Sequence, residues 1–309
     1  MKFKSVCEKA WKWTVKALPF VLCVVSILLA AFLPRGRKEV QAEGKQVVTV
    51  WNVDTFEGGR GSRTSFLKKI ARKAEKRLKN VYFLVSSYTI EGAEAALKEG
   101  ITPDALSFGV GLSDFAEISL PLDYSFAGGQ TEAGCLAYPW CRGEYALFSL
   151  TENFEEAGSV AVSRGGSNLA CVAAAFAGLK GEEVDALAAY TNFLSGKYRY
   201  LLGTQRDACR FEARGVQVYQ KKLPEYCDLY QYFSVLSAEK RELCFALLDE
   251  LLSAETQSAL AEIGMKPVEN RTEGRTVSVF SSAETLEALC SLARRGEDVK
   301  NLDKFLKSI

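Results

Sequence analysis

Short β-branched segments alternate with amphipathic helical segments after residue 46, and this feature constrains the fold more than any other. Val47–Trp51 is rich in β-branched residues, and a Gly-rich turn follows it. Phe66, Ile70 and Ala74 then recur at helical spacing, with lysines and arginines on the other face. The pattern predicts strands at 47–51, 81–86 and 104–108 and helices at 64–79 and 92–98. Such alternation is typical of an open, largely parallel sheet with helices on both faces, an α/β fold.

Beyond these elements, the sequence pattern combines strands and helices as far as residue 194 and is helical in the last third. Strand-like composition at 138–150 and 159–163 is followed by predicted helices near 169–179 and 184–194. In the last third, leucines at helical spacing precede Ser253, which opens a helix that Gly264 closes. Ser281 and Glu284 predict a capping box for a final helix that ends at Gly296. The 309 residues suffice for two domains, or for two lobes of one chain.

The chain contains no histidine, and this excludes Ser-His and Cys-His nucleophile pairs and His-containing zinc sites. Seven cysteines lie beyond residue 38, without a Cys-x-x-Cys motif and mostly in apolar surroundings. We expect them to be small buried hydrophobic residues, and we expect no metal and no cofactor. The one pair to check for a disulfide bond is Cys135 and Cys141.

The first 38 residues differ from the remainder in charge and hydropathy. They hold eight Lys or Arg and one acid, and the uncharged run 17–33 lies among them. This layout predicts a signal peptide or a signal anchor, with both left open, and a linker at 39–46 before an extracytoplasmic body. Without this segment the chain totals of 39 bases and 38 acids fall to 31 and 37. A mildly acidic body argues against nucleic acid as a partner.

A Gly-rich loop between the first strand and the first helix contains the first candidate ligand-binding residues, Glu57, Ser62 and Arg63. Glycines allow close approach of a ligand, and a helix N-terminus offers free N–H groups. The glycine spacing in residues 54–63 matches neither the P-loop nor the dinucleotide-binding motif. An ordinary strand–helix turn is the alternative.

Two further polar clusters follow apolar elements. In residues 138–145, Trp140 could stack on a sugar ring beside Arg142, or simply pack in the core. In the third cluster, amide, hydroxyl, guanidinium and carboxylate groups suit recognition of hydroxyls or carboxylates. Its alternative is a structural Arg–Asp ion pair at a helix start. The candidates there are Thr204, Gln205, Arg206 and Asp207, with Asp228 and Tyr230 further on.

The late helical segment resembles a known family. Residues 246–268, an apolar helix followed by Leu-Ser-Ala-Glu-Thr-Gln and later Gly-Met-Lys-Pro-Val, resemble the family 1 extracellular solute-binding proteins of ABC importers. A Trp-ending first strand, Pro103-Asp104, Leu120-Pro121-Leu122 and Tyr138-Pro139-Trp140 occur in the family's order, so the resemblance covers about residues 46–270.

This resemblance implies a type 2 periplasmic-binding fold, with two α/β lobes that close on a ligand, usually a carbohydrate. The expected division is lobe 1 at 47–140, lobe 2 at 141–236, and C-terminal helices at 237–309 packing at the hinge and on the lobes. The implied function is extracytoplasmic capture of a small polar ligand for an ABC importer permease, without catalysis. If the N-terminal segment is retained as a signal anchor, it attaches the protein to the membrane.

Two other functions remain open. A degenerate binding fold could act as a membrane-tethered sensor or as a protein-interaction module. A glycosidase would require two carboxylates across a cleft, and Glu57 and Asp207 are the candidates for that pair.

Overall fold

The computed structural model describes residues 44–155, 157–268 and 275–308. The predicted signal segment, 1–38, and linker residues 39–43 lie outside the described residues. Within the described part, no helix combines the length and apolar character needed to cross a membrane.

The described residues form alternating strands and helices. The strands are β1 (Gln46–Val53), β2 (Val81–Tyr88), β3 (Ala105–Phe108), β4 (Gln130–Thr131), β5 (Gly134–Cys135), β6 (Tyr138–Arg142), β7 (Tyr145–Ser149), β8 (Val160–Arg164), β9 (Glu182–Asp185), β10 (Tyr200–Thr204), β11 (Tyr219–Lys222) and β12 (Tyr230–Val235). The α-helices are α1 (Arg63–Arg77), α2 (Ile90–Lys98), α3 (Ala170–Phe176), α4 (Ala186–Leu194), α5 (Gln205–Ala213), α6 (Arg241–Leu252), α7 (Ala254–Ala259), α8 (Ala283–Arg294) and α9 (Val299–Leu306). Short 3₁₀ helices cover Ser113–Ile118, Ala127–Gly129 and Leu260–Ile263.

The first lobe is built on a five-stranded sheet in the order β2-β1-β3-β12-β6. β1 pairs in parallel with β2 and β3, whereas β12 runs antiparallel to β3 and β6. Phe66, Leu67 and Ile70 of α1 are buried in one hydrophobic cluster with Val48 and Val50 of β1. The predicted β-α-β-α-β order is confirmed, and the sheet is parallel over the three strands which that order connects.

The second lobe repeats this plan. Its sheet has the order β11-β7-β10-β8-β9, with β8 parallel to both β9 and β10 and with β7 antiparallel to β10 and β11. Phe148, Tyr190 and Phe211, from β7, α4 and α5, share one buried aromatic cluster. In each sheet the parallel strands have their carboxyl ends on the same side. Ligands bind at this side in open α/β sheets.

The chain crosses between the sheets at Gly143–Glu144 and again at 223–229. The second crossing delivers β12 to the first sheet, although residues 141–236 were expected to form lobe 2 as one block. All six residues of β12 are buried, so neither side of this strand faces water.

The C-terminal helices divide between the lobes. α6 packs on α1 of the first lobe and α8 packs on α3 of the second. Between α7 and α8, Lys266 exchanges backbone hydrogen bonds with Arg142 at 2.8 and 3.0 Å, next to the first crossing.

Helix ends follow the sequence signals closely. Ser253 caps α7, and Gly264 has the left-handed φ of 67° expected of a helix-closing glycine. The cap of α8 is Ser282 rather than Ser281, because Ser282 Oγ accepts from Thr285 N at 3.2 Å. The seven described cysteines, Cys135 and Cys141 included, are free thiols.

Candidate functional site

The Gly-rich loop after β1 is held in place by the buried side chain of Arg63. Arg63 Nε donates to Asp54 Oδ1 at 2.8 Å, and its Nη2 donates to the carbonyl oxygen of Phe56. The guanidinium also lies over the Phe56 ring, 4.0 Å from the ring centre. Ser62 caps α1 by accepting from Ser65 N at 3.2 Å. Arg63 is only 2% exposed, so it shapes the loop from within.

On the second lobe, the N-terminus of α5 is fixed by a capping box. Thr204 Oγ1 accepts from Arg206 N at 3.3 Å, and Asp207 Oδ2 accepts from Thr204 N at 3.0 Å. Burial raises the pKa of Asp207, although the Thr204 N–H and Arg210 oppose this shift. Asp207 is therefore engaged by its own helix, as in the structural alternative considered for this cluster, and not by a partner across a cleft.

Gln205 joins three parts of the molecule. Its Nε2 donates to the carbonyl oxygen of Glu57 at 3.1 Å, and its Oε1 accepts from Glu144 N at 3.1 Å. A Cβ on Gly143 would lie 2.5 Å from Gln205 Oε1, so a larger residue there would displace the Gln205 amide from its present position. Gln205 is buried, and it connects the loop of lobe 1 to the crossing and to α5.

Two ion pairs connect the lobes. Arg206 Nη1 contacts Glu57 Oε1, and the two side chains retain 28% and 35% exposure. Burial and the neighbouring Arg210 lower the pKa of Arg206. Arg60, further along the same loop, pairs with Glu212 of α5 at 2.5 Å, and both of these side chains are more than half exposed. Glu57 and Arg206 thus come together from opposite lobes, and both can be reached by solvent.

A third contact is made by the turn after β8. Ser167 N donates to the carbonyl oxygen of Thr55 at 2.8 Å. Gly166 has φ +59°, and a Cβ placed on it would lie 2.8 Å from that same oxygen. A Cβ on Gly165 would lie 3.4 Å from Glu57 Cδ. These glycines permit direct backbone contact between the lobes.

The second crossing contains a fully buried carboxyl group. Asp228 Oδ1 accepts from the Tyr145 hydroxyl at 2.9 Å, and Oδ2 accepts from Leu169 N at the start of α3 at 3.1 Å. Burial raises the pKa of Asp228 to about 7, and the two hydrogen bonds only partly offset this. Asp228 thus connects the crossing to lobe 2, without facing the loop of lobe 1.

Three predicted site residues lie within or behind the first sheet. Trp140 is fully buried, stacks on Phe66 with ring centres 6.1 Å apart, and donates from Nε1 to Ser107 Oγ at 3.0 Å. Tyr230 is 4% exposed and packs edge-on against Phe126. Arg142 Nε donates to the Pro267 carbonyl oxygen at 3.1 Å. Trp140 and Tyr230 have no free face for a sugar ring, so their placement corresponds to the core alternative.

The sequence did not predict a buried polar network next to the Gly-rich loop. Asn52 Oδ1 accepts from Ser107 Oγ at 2.8 Å and from Gln231 Nε2 at 3.3 Å, and Gln231 Nε2 also reaches the Val53 carbonyl oxygen. These residues lie on β1, β3 and β12, and no spacing rule connects them. The contact at Ser167 was also missed, although the Gly-Gly pair after a predicted strand was an available signal.

Among residues 44–155, 157–268 and 275–308, no group of three Cys, Asp or Glu side chains is placed to hold an ion.

Comparison with known proteins identifies the fold. No protein-family model matches the chain, and no curated protein sequence does. The maltose-maltodextrin binding protein of Alicyclobacillus acidocaldarius is similar at 14% identity and a TM-score of 0.54, over 85% of this chain and 100% of that one. A cyclo/maltodextrin-binding protein complexed with maltotetraose gives 13% identity and a TM-score of 0.54, over 87% and 98%.

The GacH receptor of Streptomyces glaucescens gives 16% identity and a TM-score of 0.52, over 85% of this chain and 99% of that one. These structures match most of this chain, which confirms the predicted α/β, periplasmic-binding-protein-like fold class for the described residues. At such low identity the similarity concerns the fold.

Proposed function

We propose that this chain is an extracytoplasmic solute-binding protein that captures a small polar ligand, a carbohydrate, between its lobes for an ABC importer permease. The observation that carries the proposal is the meeting of Glu57 and Arg206. One comes from the loop of lobe 1, the other from α5 of lobe 2, and both stay partly exposed. A ligand that bridges these two groups would hold both lobes at once.

The chemistry of this pair suits a hydroxyl-rich ligand. The guanidinium donates and the carboxylate accepts, so adjacent sugar hydroxyls can replace the ion pair with two charge-assisted hydrogen bonds. The proteins of similar fold include a maltose-maltodextrin binding protein, a cyclo/maltodextrin-binding protein complexed with maltotetraose, and a receptor in complex with acarbose. We assign Glu57, Arg206 and the neighbouring Ser167 to the ligand, and Trp140, Tyr230, Asp207 and Gln205 to the scaffold.

The same contacts argue against a carboxylate-pair hydrolase. Asp207 accepts from Thr204 N and lies beside Arg210, and Glu57 is paired with Arg206. Neither group is an unengaged acid or base, and the proteins of similar fold include maltodextrin-binding proteins.

The test is a thermal-shift screen of the full chain against sugars, oligosaccharides, amino acids and phosphate, followed by calorimetry on the hits. Arg206→Ala removes a charged hydrogen-bond donor, so we expect affinity to fall by about 10-fold to 100-fold, or roughly 1.5–3 kcal/mol. Lys221→Ala, at an exposed position of β11, is the matched control and should bind normally. Equal affinity in wild type and Arg206→Ala would contradict the proposed site.

One observation favours a second function. The backbone hydrogen bond from Ser167 N to the Thr55 carbonyl oxygen joins the two lobes directly. A degenerate fold that keeps its lobes closed would serve as a membrane-tethered sensor or an interaction module. Failure of every ligand class in the screen, with the protein folded, would favour this function over solute capture.

A further inference from the structure

An exposed apolar patch lies at one end of the first sheet. Val47, Tyr82 and Leu84 keep 44%, 47% and 45% of their surface exposed, and Ile101 keeps 53%. Val47 and Tyr82 are register partners, and Leu84 is the partner of Thr49 on the same two strands. These four residues are the sheet-end patch. Contiguous exposed apolar patches of more than a few hundred Å² often mark a contact surface.

The patch exists because the covering helix stops short of it. Side chains alternate along a strand, so Val47 points to the same face of the sheet as Trp51. Trp51 is buried in a cluster that includes Ala93 of α2, whereas Val47, at the start of the same strand, is 44% exposed. Ile101 follows α2 at the end of the sheet where β1 and β2 begin.

Two lysines lie near this end of the sheet. Lys79 lies between α1 and β2, and Lys98 is the last residue of α2. Both are exposed, and neither has an ion-pair partner among the described residues. Glu99 is the exposed acid next to Lys98. Apolar side chains with a lysine rim are the composition of surfaces that enter the headgroup region of anionic membranes.

The position of the N-terminal end of β1 indicates which surface covers the sheet-end patch. Gln46, the first residue of β1, lies at this end of the sheet, since Gln46 N donates to Asn80 O at 2.8 Å. Only residues 34–45 separate it from the predicted membrane segment 17–33. Twelve residues reach at most about 40 Å. We propose that the sheet-end patch of lobe 1 docks on the anionic lipid surface in which the N-terminal segment is anchored. This goes beyond ligand capture and does not depend on it.

The test uses the full chain in phosphatidylcholine–phosphatidylglycerol nanodiscs that contain a headgroup-spin-labelled lipid. A fluorophore is attached at Glu99→Cys, beside the patch, or at Leu187→Cys, a 62% exposed position in lobe 2. The unsubstituted chain, treated with the same fluorophore, gives the background of the native thiols. We expect the label at 99 to be quenched about threefold more than the label at 187.

Removal of the patch should abolish the difference in quenching between the labels at positions 99 and 187. Tyr82→Ser/Leu84→Ser in the Glu99→Cys chain should lower quenching to the value at 187, whereas Leu150→Ser, at another exposed apolar position, should not. Phosphatidylcholine-only discs should weaken quenching. Equal quenching at both positions, or quenching indifferent to the double substitution, would overturn the proposal. A dimer in detergent that the double substitution dissociates would also overturn it, because the patch would then belong to a second copy.

Discussion

At the scale of single residues, Asp228 shows how the crossing between the lobes responds to protons. Its carboxyl group is buried between Tyr145 and the start of α3, and burial raises its pKa to about 7. The folded protein therefore holds this proton more tightly than the unfolded chain does. Between about pH 4 and pH 7 the stability contributed by the protonated group is lost as pH rises, by at most about 1.4 kcal/mol per pH unit.

Asp228→Asn cannot ionise, so its free energy of unfolding should depend less on pH across this window. Urea unfolding at about pH 5 and pH 7.5 should give a smaller difference for the variant than for wild type, by about 1 kcal/mol or more. Asp185→Asn, at the exposed N-cap of α4, is the control. Parallel pH profiles for wild type and Asp228→Asn would contradict the assignment.

Trp140 has a structural role that can be separated from ligand binding. Because it is fully buried and bonded to Ser107, Trp140→Ala should lower the free energy of unfolding by about 3–5 kcal/mol. Ligand affinity of the folded fraction should stay within about twofold. Denaturant titration and calorimetry measure the two quantities. If Trp140→Ala were as stable as wild type but bound the ligand more weakly, Trp140 would belong to the ligand site.

Residue type alone could not make this distinction. Arg206 and Trp140 both occurred in polar or aromatic clusters after apolar segments, and either could face a ligand. Whether each side chain stays partly exposed or is buried depends on long-range neighbours, Glu57 for Arg206 and Phe66 for Trp140, that sequence does not reveal.

At the scale of elements, the turn after β8 controls how closely the lobes approach. Gly166→Ala would place a methyl group 2.8 Å from the Thr55 carbonyl oxygen and would also strain a φ of +59°. Gly178→Ala is a matched control, because its φ is +67° and nothing lies within 4 Å of the added Cβ. Both variants should lose about 1 kcal/mol of stability from backbone strain.

Only Gly166→Ala should bind the screened ligand more weakly, by about 10-fold, since it opposes closure of the lobes. Calorimetry on both variants tests this. Equal affinities for the two variants would mean that the contact between Ser167 and Thr55 is not part of the ligand-bound state.

Sequence patterns recovered elements where local signals were strong. β1, α1, β2, α2 and β3 were predicted because their amphipathic periods are clear, and Ser253 and Gly264 marked helix ends by their backbone chemistry. The sequence did not predict strands β9 to β12, and for β11 and β12 the structure shows why. β12 is buried along its whole length, and β11 is a short, mostly exposed edge strand, so neither shows a period.

At the scale of the whole molecule, the central claim is that one ligand is held by both lobes. Hydrogen–deuterium exchange of the full chain, with and without the best ligand from the screen, tests it most directly. Bound ligand should slow exchange in the loop 54–62 of lobe 1 and in both the 165–168 turn and the start of α5 in lobe 2. Protection confined to one lobe, or protection outside these segments, would contradict a ligand site built on Glu57 and Arg206.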